Sequence, residues 1–157
     1  MLTLDRVYSA ARVLKEIIRE TDMIYAPNIS SSAKIYLKTE NLQVTGSFKI
    51  RGSYFKISQL SDEEKKHGVI ACSAGNHAQG VALAATRSGI KSIICLPDGA
   101  PISKVEATKR YGAEVCMVKA FMMMHIIRQF SSEMRKAILL FTRLMMRMLS
   151  PVRHYRP

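Results

Sequence analysis

A chain of 157 residues with 48% hydrophobic side chains is long enough to bury one ordinary core, and its length suggests a single domain. The start Met1-Leu2-Thr3-Leu4-Asp5-Arg6 lacks the apolar core of a signal peptide, and no uninterrupted apolar run is long enough to span a bilayer, so a cytoplasmic protein with no membrane partner is expected. The net charge of +12 would ordinarily point to nucleic acid. However, about half of that excess falls after residue 121, where only Glu133 opposes Arg128, Arg135, Lys136, Arg143, Arg147, Arg153 and Arg156, so no nucleic-acid partner is expected.

Thr3 is placed to cap a helix, and Leu4, Val7, Tyr8, Ala11, Leu14, Ile17 and Ile18 recur at helical spacing, which predicts an amphipathic helix to about Arg19. Residues 21–32 read as turn, because Pro27-Asn28 and Ser30-Ser31-Ser32 break any period. A strand over Lys34-Ile35-Tyr36-Leu37-Lys38 follows. After Gly52, Tyr54, Phe55, Ile57 and Ser58 suit a helix that starts near the lysine, and Ser61-Asp62-Glu63-Glu64 reads as a capping box opening a short helix that Gly68 ends.

Val69-Ile70-Ala71-Cys72 reads as a buried strand, followed by a small-residue helix over residues 78–88 with Gly89 just past its end. Lys91-Ser92-Ile93-Ile94-Cys95-Leu96 is the next strand. Residues 103–111 form a polar-faced helix stopped by Gly112, and Glu114-Val115-Cys116-Met117-Val118 is the last strand. Strand, loop and helix repeated in this way predict an α/β fold, a parallel sheet with helices on both faces. Cys72, Cys95 and Cys116 are odd in number, sit in apolar runs and have no Cys-x-x-Cys spacing, so they read as reduced core residues and no metal site is expected.

Two stretches carry chemistry. In Thr45-Gly46-Ser47-Phe48-Lys49-Ile50-Arg51-Gly52 a lysine stands between two apolar residues and two glycines, the latter free to take φ > 0 or to let a flat ligand approach. Burial of Lys49 would lower its pKa and leave a neutral, nucleophilic amine, able to form a Schiff base with an aldehyde such as pyridoxal phosphate. The alternative is a lysine that runs its stem along an apolar face and keeps its ammonium in water. In the second stretch, Ser73-Ala74-Gly75-Asn76-His77, a strand opens directly into a helix, so backbone N–H groups and the positive end of the helix dipole face an anion such as an α-carboxylate. Asn76 can also donate its amide to an oxygen on a cofactor ring. The alternative is that Ser73 and Asn76 merely cap the helix. His77 reads as a backbone donor rather than a general base, and Arg51 as a structural ion pair rather than a phosphate ligand.

Ser47-Phe48-Lys49-Ile50-Arg51-Gly52 resembles the cofactor-lysine motif of the threonine dehydratase and serine racemase family, among the fold type II pyridoxal-phosphate enzymes (tryptophan synthase beta-like). Threonine synthases carry an acidic residue where this chain has Ile50, and cysteine synthases a small aliphatic one where it has Phe48. The likeness extends to Lys38-Thr39-Glu40-Asn41-Leu42-Gln43, to Ser73-Ala74-Gly75-Asn76-His77-Ala78-Gln79-Gly80-Val81-Ala82, and to Leu96-Pro97, Lys104-Val105 and Tyr111-Gly112-Ala113-Glu114-Val115, so it covers about residues 4–119. The resemblance implies that Lys49 carries the imine, that Phe48 and Asn76 contact the cofactor, Asn76 at its phenolic oxygen, and that Ser73, Ala74, Gly75, Asn76 and His77 hold the substrate carboxylate. It further implies a small amino-acid substrate, the conversion of L-threonine to 2-oxobutanoate and ammonia, and homo-oligomeric intact members. Serine racemase or serine dehydratase activity is the alternative within the family. The chain is shorter than a whole two-lobed member, so residues 1–120 are expected to be the N-terminal part of the catalytic domain.

Beyond Lys119 the character changes. Glycine is absent after Gly112, and seven of the ten methionines lie between Met122 and Met148. A Met-rich, basic amphipathic helix for a membrane surface or partner groove is one reading, and a tail that binds nucleic acid or anionic lipid another, although neither accounts for Lys49 or the 73–77 loop. The reading adopted is that residues 121–157 are a frameshift product. Read one base earlier, Met124-His125-Ile126-Ile127-Arg128-Gln129-Phe130 can encode Asp-Ala-Tyr-Asn-Thr-Ala-Val, which is similar to the family's own sequence there. The family's glycine-rich phosphate loop and its partner for the pyridine nitrogen would then be missing, so little catalysis, exposed apolar surface and aggregation are expected.

Overall fold

A computed structural model of the protein describes residues 3–119; the tail expected to be frameshifted lies outside the described residues. Thr3 Oγ1 accepts the Arg6 N–H at 3.4 Å and opens α1 (Leu4–Leu14). This helix is shorter than predicted. The N–H groups of Ile17 and Ile18 both turn back to the Leu14 carbonyl at 2.9 and 3.1 Å, and the buried Gln43 amide takes both the N–H and the carbonyl of Arg19 at 2.7 Å each. A side chain 24 residues away has thus replaced the helical partners of Arg19.

β1 (Met23–Tyr25) pairs antiparallel with β2 (Tyr36–Lys38), with Tyr25 opposite Tyr36 and their ring centroids 5.3 Å apart. Residues 21–32 are therefore not all turn, and the second strand starts at Tyr36 rather than Lys34. Pairing across the ribbon, led by two aromatic rings, makes β1 a strand although its own sequence carries no strand period. Both strands are exposed throughout, Met23 by 59% and Tyr36 by 52%, so the expected apolar surface is present.

From β2 the chain turns at Gly46, whose φ of 68° and N–H bond to the Gln43 carbonyl at 2.7 Å need a glycine. It then enters α2 (Lys49–Ser58). Ser47 Oγ accepts the Lys49 N–H at 3.3 Å, so the helix begins at Lys49, as the expected start near the lysine has it, and Gly52 lies inside it without a positive φ. α3 (Asp62–His67) carries both bonds of the expected capping box, Glu64 N–H to Ser61 Oγ at 3.2 Å and Ser61 N–H to Glu64 Oε2 at 2.7 Å.

The remaining elements alternate as predicted: β3 (Val69–Cys72), α4 (Asn76–Arg87), β4 (Ser92–Pro97), α5 (Ile102–Arg110) and β5 (Glu114–Val118), with strands parallel in the order β3-β4-β5. Gly68, Gly89 and Gly112 follow their helices with φ of 78°, 67° and 86°. Ala78, Ala82, Ala84 and Ala85 of α4 are almost wholly buried. Together with Ile50 and Ile57 of α2 and Ile94 and Leu96 of β4 they form the centre of the core. Small side chains on α4 let it lie close to α2 and to the sheet at once.

The three cysteines form no disulfide and stand side by side, Cys72 opposite Cys95 and Cys95 opposite Cys116. The bond with Cys116 pulls Cys95 down, but the bond with Cys72 and burial outweigh it and push Cys95 up to about 12, while the bond with Cys95 holds Cys72 below its ordinary value. Among the described residues no His, Cys, Asp or Glu cluster could hold a metal ion, and no helix is long and apolar enough to cross a membrane.

Candidate active site

Lys49 is the first residue of α2, and in a helix neighbouring residues point to different faces: Ile50 is fully buried, so Lys49 is turned outward. Its amine lies 4.6 Å from the centroid of the Phe48 ring, itself 56% exposed. The expected burial of Lys49 is therefore corrected. Phe48 flanks the amine on one side, while Ile50 packs inward and covers nothing above it.

Behind Lys49 the backbone is tied down. The Glu40 carboxylate receives the Arg51 guanidinium through two bonds of 2.9 and 2.6 Å, and Thr21 donates to it at 2.7 Å. The bond from Arg51, with smaller help from Thr21, holds Glu40 down at about 2 against the opposing effect of burial. Arg51 is thus the structural ion pair the sequence suggested. It staples the segment before Lys49 to the helix that carries Lys49.

The 73–77 loop joins β3 to α4. Ser73 extends the sheet through its N–H to the Cys95 carbonyl at 3.2 Å, and its Oγ accepts the Gly75 N–H at 3.2 Å. Gly75 occupies the cap position of α4, and no side chain caps that helix. Ser73 is spent on its own turn and the Ala78 N–H bonds the Gly75 carbonyl at 3.1 Å, so the N–H groups of Asn76 and His77, the first two residues of this 12-residue helix, point out under its dipole as an anion site requires.

Asn76 Oδ1 accepts a bond from Lys104 Nζ at 3.3 Å. An ammonium can only donate, so the oxygen of Asn76 must face Lys104 and its NH₂ faces away, available as a donor. The next residue, His77, has its imidazole held below its ordinary value, first by burial of the ring and then by the positive charge of Lys49. The two predicted stretches come to one place where α4 packs on α2, Gly80 of α4 lying against the peptide that joins Lys49 to Ile50. Among the described residues no hydrogen bond joins the Lys49 amine to the loop; the two are related through packing of α2 on α4.

Sequence reasoning missed two residues here. Lys104 entered only as part of a likeness, and its approach to Asn76 spans 28 residues. Gly80 did too, yet a glycine inside a helix costs about 1 kcal/mol relative to alanine and calls for a packing reason. That signal was legible.

The chain matches the family described as pyridoxal-phosphate dependent enzyme over residues 14–141. It is 52% identical over 119 residues to the L-threonine ammonia-lyase of Thermotoga maritima, covering 74% of this chain and 30% of that protein. It is 48% identical over 120 residues to the L-threonine dehydratase catabolic TdcB of Staphylococcus aureus, covering 74% and 35%. The structure of maize serine racemase superposes with a TM-score of 0.71 at 37% identity, over 74% of this chain and 36% of that one. The chain spans about a third of the length of the curated relatives it matches.

Proposed function

The chain belongs to the pyridoxal-phosphate dependent enzymes, and from that premise we propose that residues 1–120 are the lysine-bearing N-terminal part of a threonine ammonia-lyase catalytic domain. The observation that carries this reading is the outward amine of Lys49 at the head of α2, which packs directly on α4 one turn below that helix's uncapped N-terminus. The residues present fit the amine and carboxylate ends of such a site: an accessible primary amine for an aldehyde, and free N–H groups for an anion. They do not supply a glycine-rich phosphate cradle, since no two glycines of the chain stand closer to each other than Gly75 and Gly80.

Lys49 would hold the cofactor covalently, Phe48 would lie beside it, and the Asn76 NH₂ would donate to its phenolic oxygen. Of the 73–77 loop, the N–H groups of Ala74, Asn76 and His77 would take the substrate carboxylate and fix the α-carbon near Lys49, since those of Ser73 and Gly75 are bonded within the fold. When bound, pyridoxal phosphate supplies a ring that withdraws the electrons left at the α-carbon when its proton leaves. With the substrate's own amine in its place, the freed Lys49 amine would remove that proton as a general base, the residue role that conversion of L-threonine to 2-oxobutanoate and ammonia would need. His77 contributes its backbone N–H.

Threonine is favoured over serine on the curated relatives, of which those named for threonine are 47–52% identical; the solved structures do not separate the two, at 37% for the maize racemase and 34% for the threonine deaminase of Solanum lycopersicum. A chain with these groups and no phosphate cradle is expected to turn over little or no threonine. The frame-slip reading of residues 121–157 belongs to the same proposal, and the nucleotide sequence of the gene, read in the neighbouring frame, tests it. For the site itself, absorbance spectra of the purified chain with added pyridoxal phosphate are compared with those of Lys49→Ala. A visible band that the variant lacks supports the assignment, and identical spectra for both contradict it. Threonine and serine turnover, measured on whichever protein gives the band, separates the two substrates.

A further inference from the structure

α2 and α4 cross where Gly80 meets the peptide that joins Lys49 to Ile50. A methyl group built on Gly80 would lie 3.1 Å from the Lys49 carbonyl carbon, 3.2 Å from the Ile50 nitrogen and 3.0 Å from Ser53 Oγ. Two of these atoms are backbone in the first turn of α2 and cannot rotate aside, and Ile50 next to them is wholly buried. The facing position on α2 is small as well, since the buried Ser53 hydroxyl has no hydrogen-bond partner there. The other helical glycine of this region behaves differently: a methyl group on Gly52 would meet nothing within 4 Å.

Gly80 lies four residues along α4 from Asn76, about 6 Å down the axis from the helix N-terminus. A contact between two helix backbones, rather than any side chain that would touch a ligand, therefore sets how far Lys49 stands from the 73–77 loop. We propose that Gly80 is a positioning residue for Lys49: by letting α4 seat directly against the first turn of α2, it fixes the distance between the Lys49 amine and the N–H groups that open α4. The inference rests on the reading of Lys49 as the reactive amine given above.

The test uses the full chain as wild type, Gly80→Ala, Ser53→Thr, Gly52→Ala and Lys49→Ala, each checked for folding by circular dichroism. One readout is the pyridoxal phosphate titration of the visible band. The other is the NMR titration of the His77 ring without cofactor, which is held below its ordinary value first by burial and then by the Lys49 charge, both of which a wider α2–α4 spacing would relax. A shift of a few tenths of an ångström in Gly80→Ala should weaken the band titration about tenfold and raise the His77 midpoint toward its ordinary value, while Gly52→Ala leaves both unchanged. Gly80→Ala that folds and matches wild type in both readouts overturns the proposal. If Gly80→Ala does not fold, Ser53→Thr, which adds a methyl group to the same crossing from the other side, decides: a smaller change in the same direction supports the proposal, and wild-type behaviour overturns it. If Lys49→Ala retains the band, the reading of Lys49 fails instead. The His77 titration still decides the geometry in that case, and also if wild type shows no band.

Discussion

Replacing Glu40 by glutamine removes the charge that tethers Arg51, two residues beyond Lys49, and its cost can be worked from the geometry. In the folded chain the carboxyl is held at about 2, against an ordinary 4.5, chiefly by the Arg51 bonds of 2.9 and 2.6 Å. Unscreened, that difference corresponds to roughly 3 kcal/mol favouring the charged form. The Arg51 side chain is 33% exposed, so solvent screening reduces the contribution to about 1–2 kcal/mol. Because the folded value lies below the unfolded one, this stability is fully present above pH 4.5 and is lost as the pH falls toward 2. Urea unfolding of wild type and Glu40→Gln at pH 7, 5, 4, 3 and 2 checks it. Glu40→Gln should be about 1–2 kcal/mol less stable at pH 7, and the two curves should converge at the acid end, since carboxylates common to both proteins, Glu64 among them, cancel in the difference. A constant gap across the series, or no gap at pH 7, would refute the argument that the charged pair rather than side-chain shape secures this turn.

The buried, unpartnered hydroxyl of Ser53 predicts that Ser53→Ala stabilises the chain by about 1 kcal/mol in urea unfolding, with a further small gain in helix propensity. Lys104→Met should leave stability within about 0.5 kcal/mol of wild type, because its bond to Asn76 is exposed. It should weaken the pyridoxal phosphate band titration severalfold at low ionic strength, with the difference shrinking as salt screens the lost charge.

The parallel half of the fold was legible because its signals are local. The runs that became β3, β4 and β5, the capping box at Ser61, and the glycines that end α3, α4 and α5 all state their role within a few residues. The 73–77 loop was legible for the same reason, since a strand that opens straight into a helix fixes where its N–H groups point. What escaped depends on distant partners. β1 exists through Tyr36 across the ribbon, α1 stops where Gln43 captures Arg19, and Asn76 is oriented by Lys104 on a helix that follows the next strand. The exposure of Lys49 escaped for another reason. Its apolar neighbours suggested burial, yet one helical step sends Ile50 into the core and Lys49 out, and only the observed start of α2 at Lys49 fixes that phase. Gly80 lay in plain view; the cost of glycine in a helix interior was the clue.

The most direct test of Lys49 as the reactive amine is to add pyridoxal phosphate to the folded chain, reduce with borohydride and map the modified peptides by mass spectrometry. The account predicts that the label concentrates on Lys49 at cofactor concentrations that leave Lys34, Lys56 and Lys91 largely unmodified. Label spread evenly over these lysines, with Lys49 no more reactive than the rest, would contradict it.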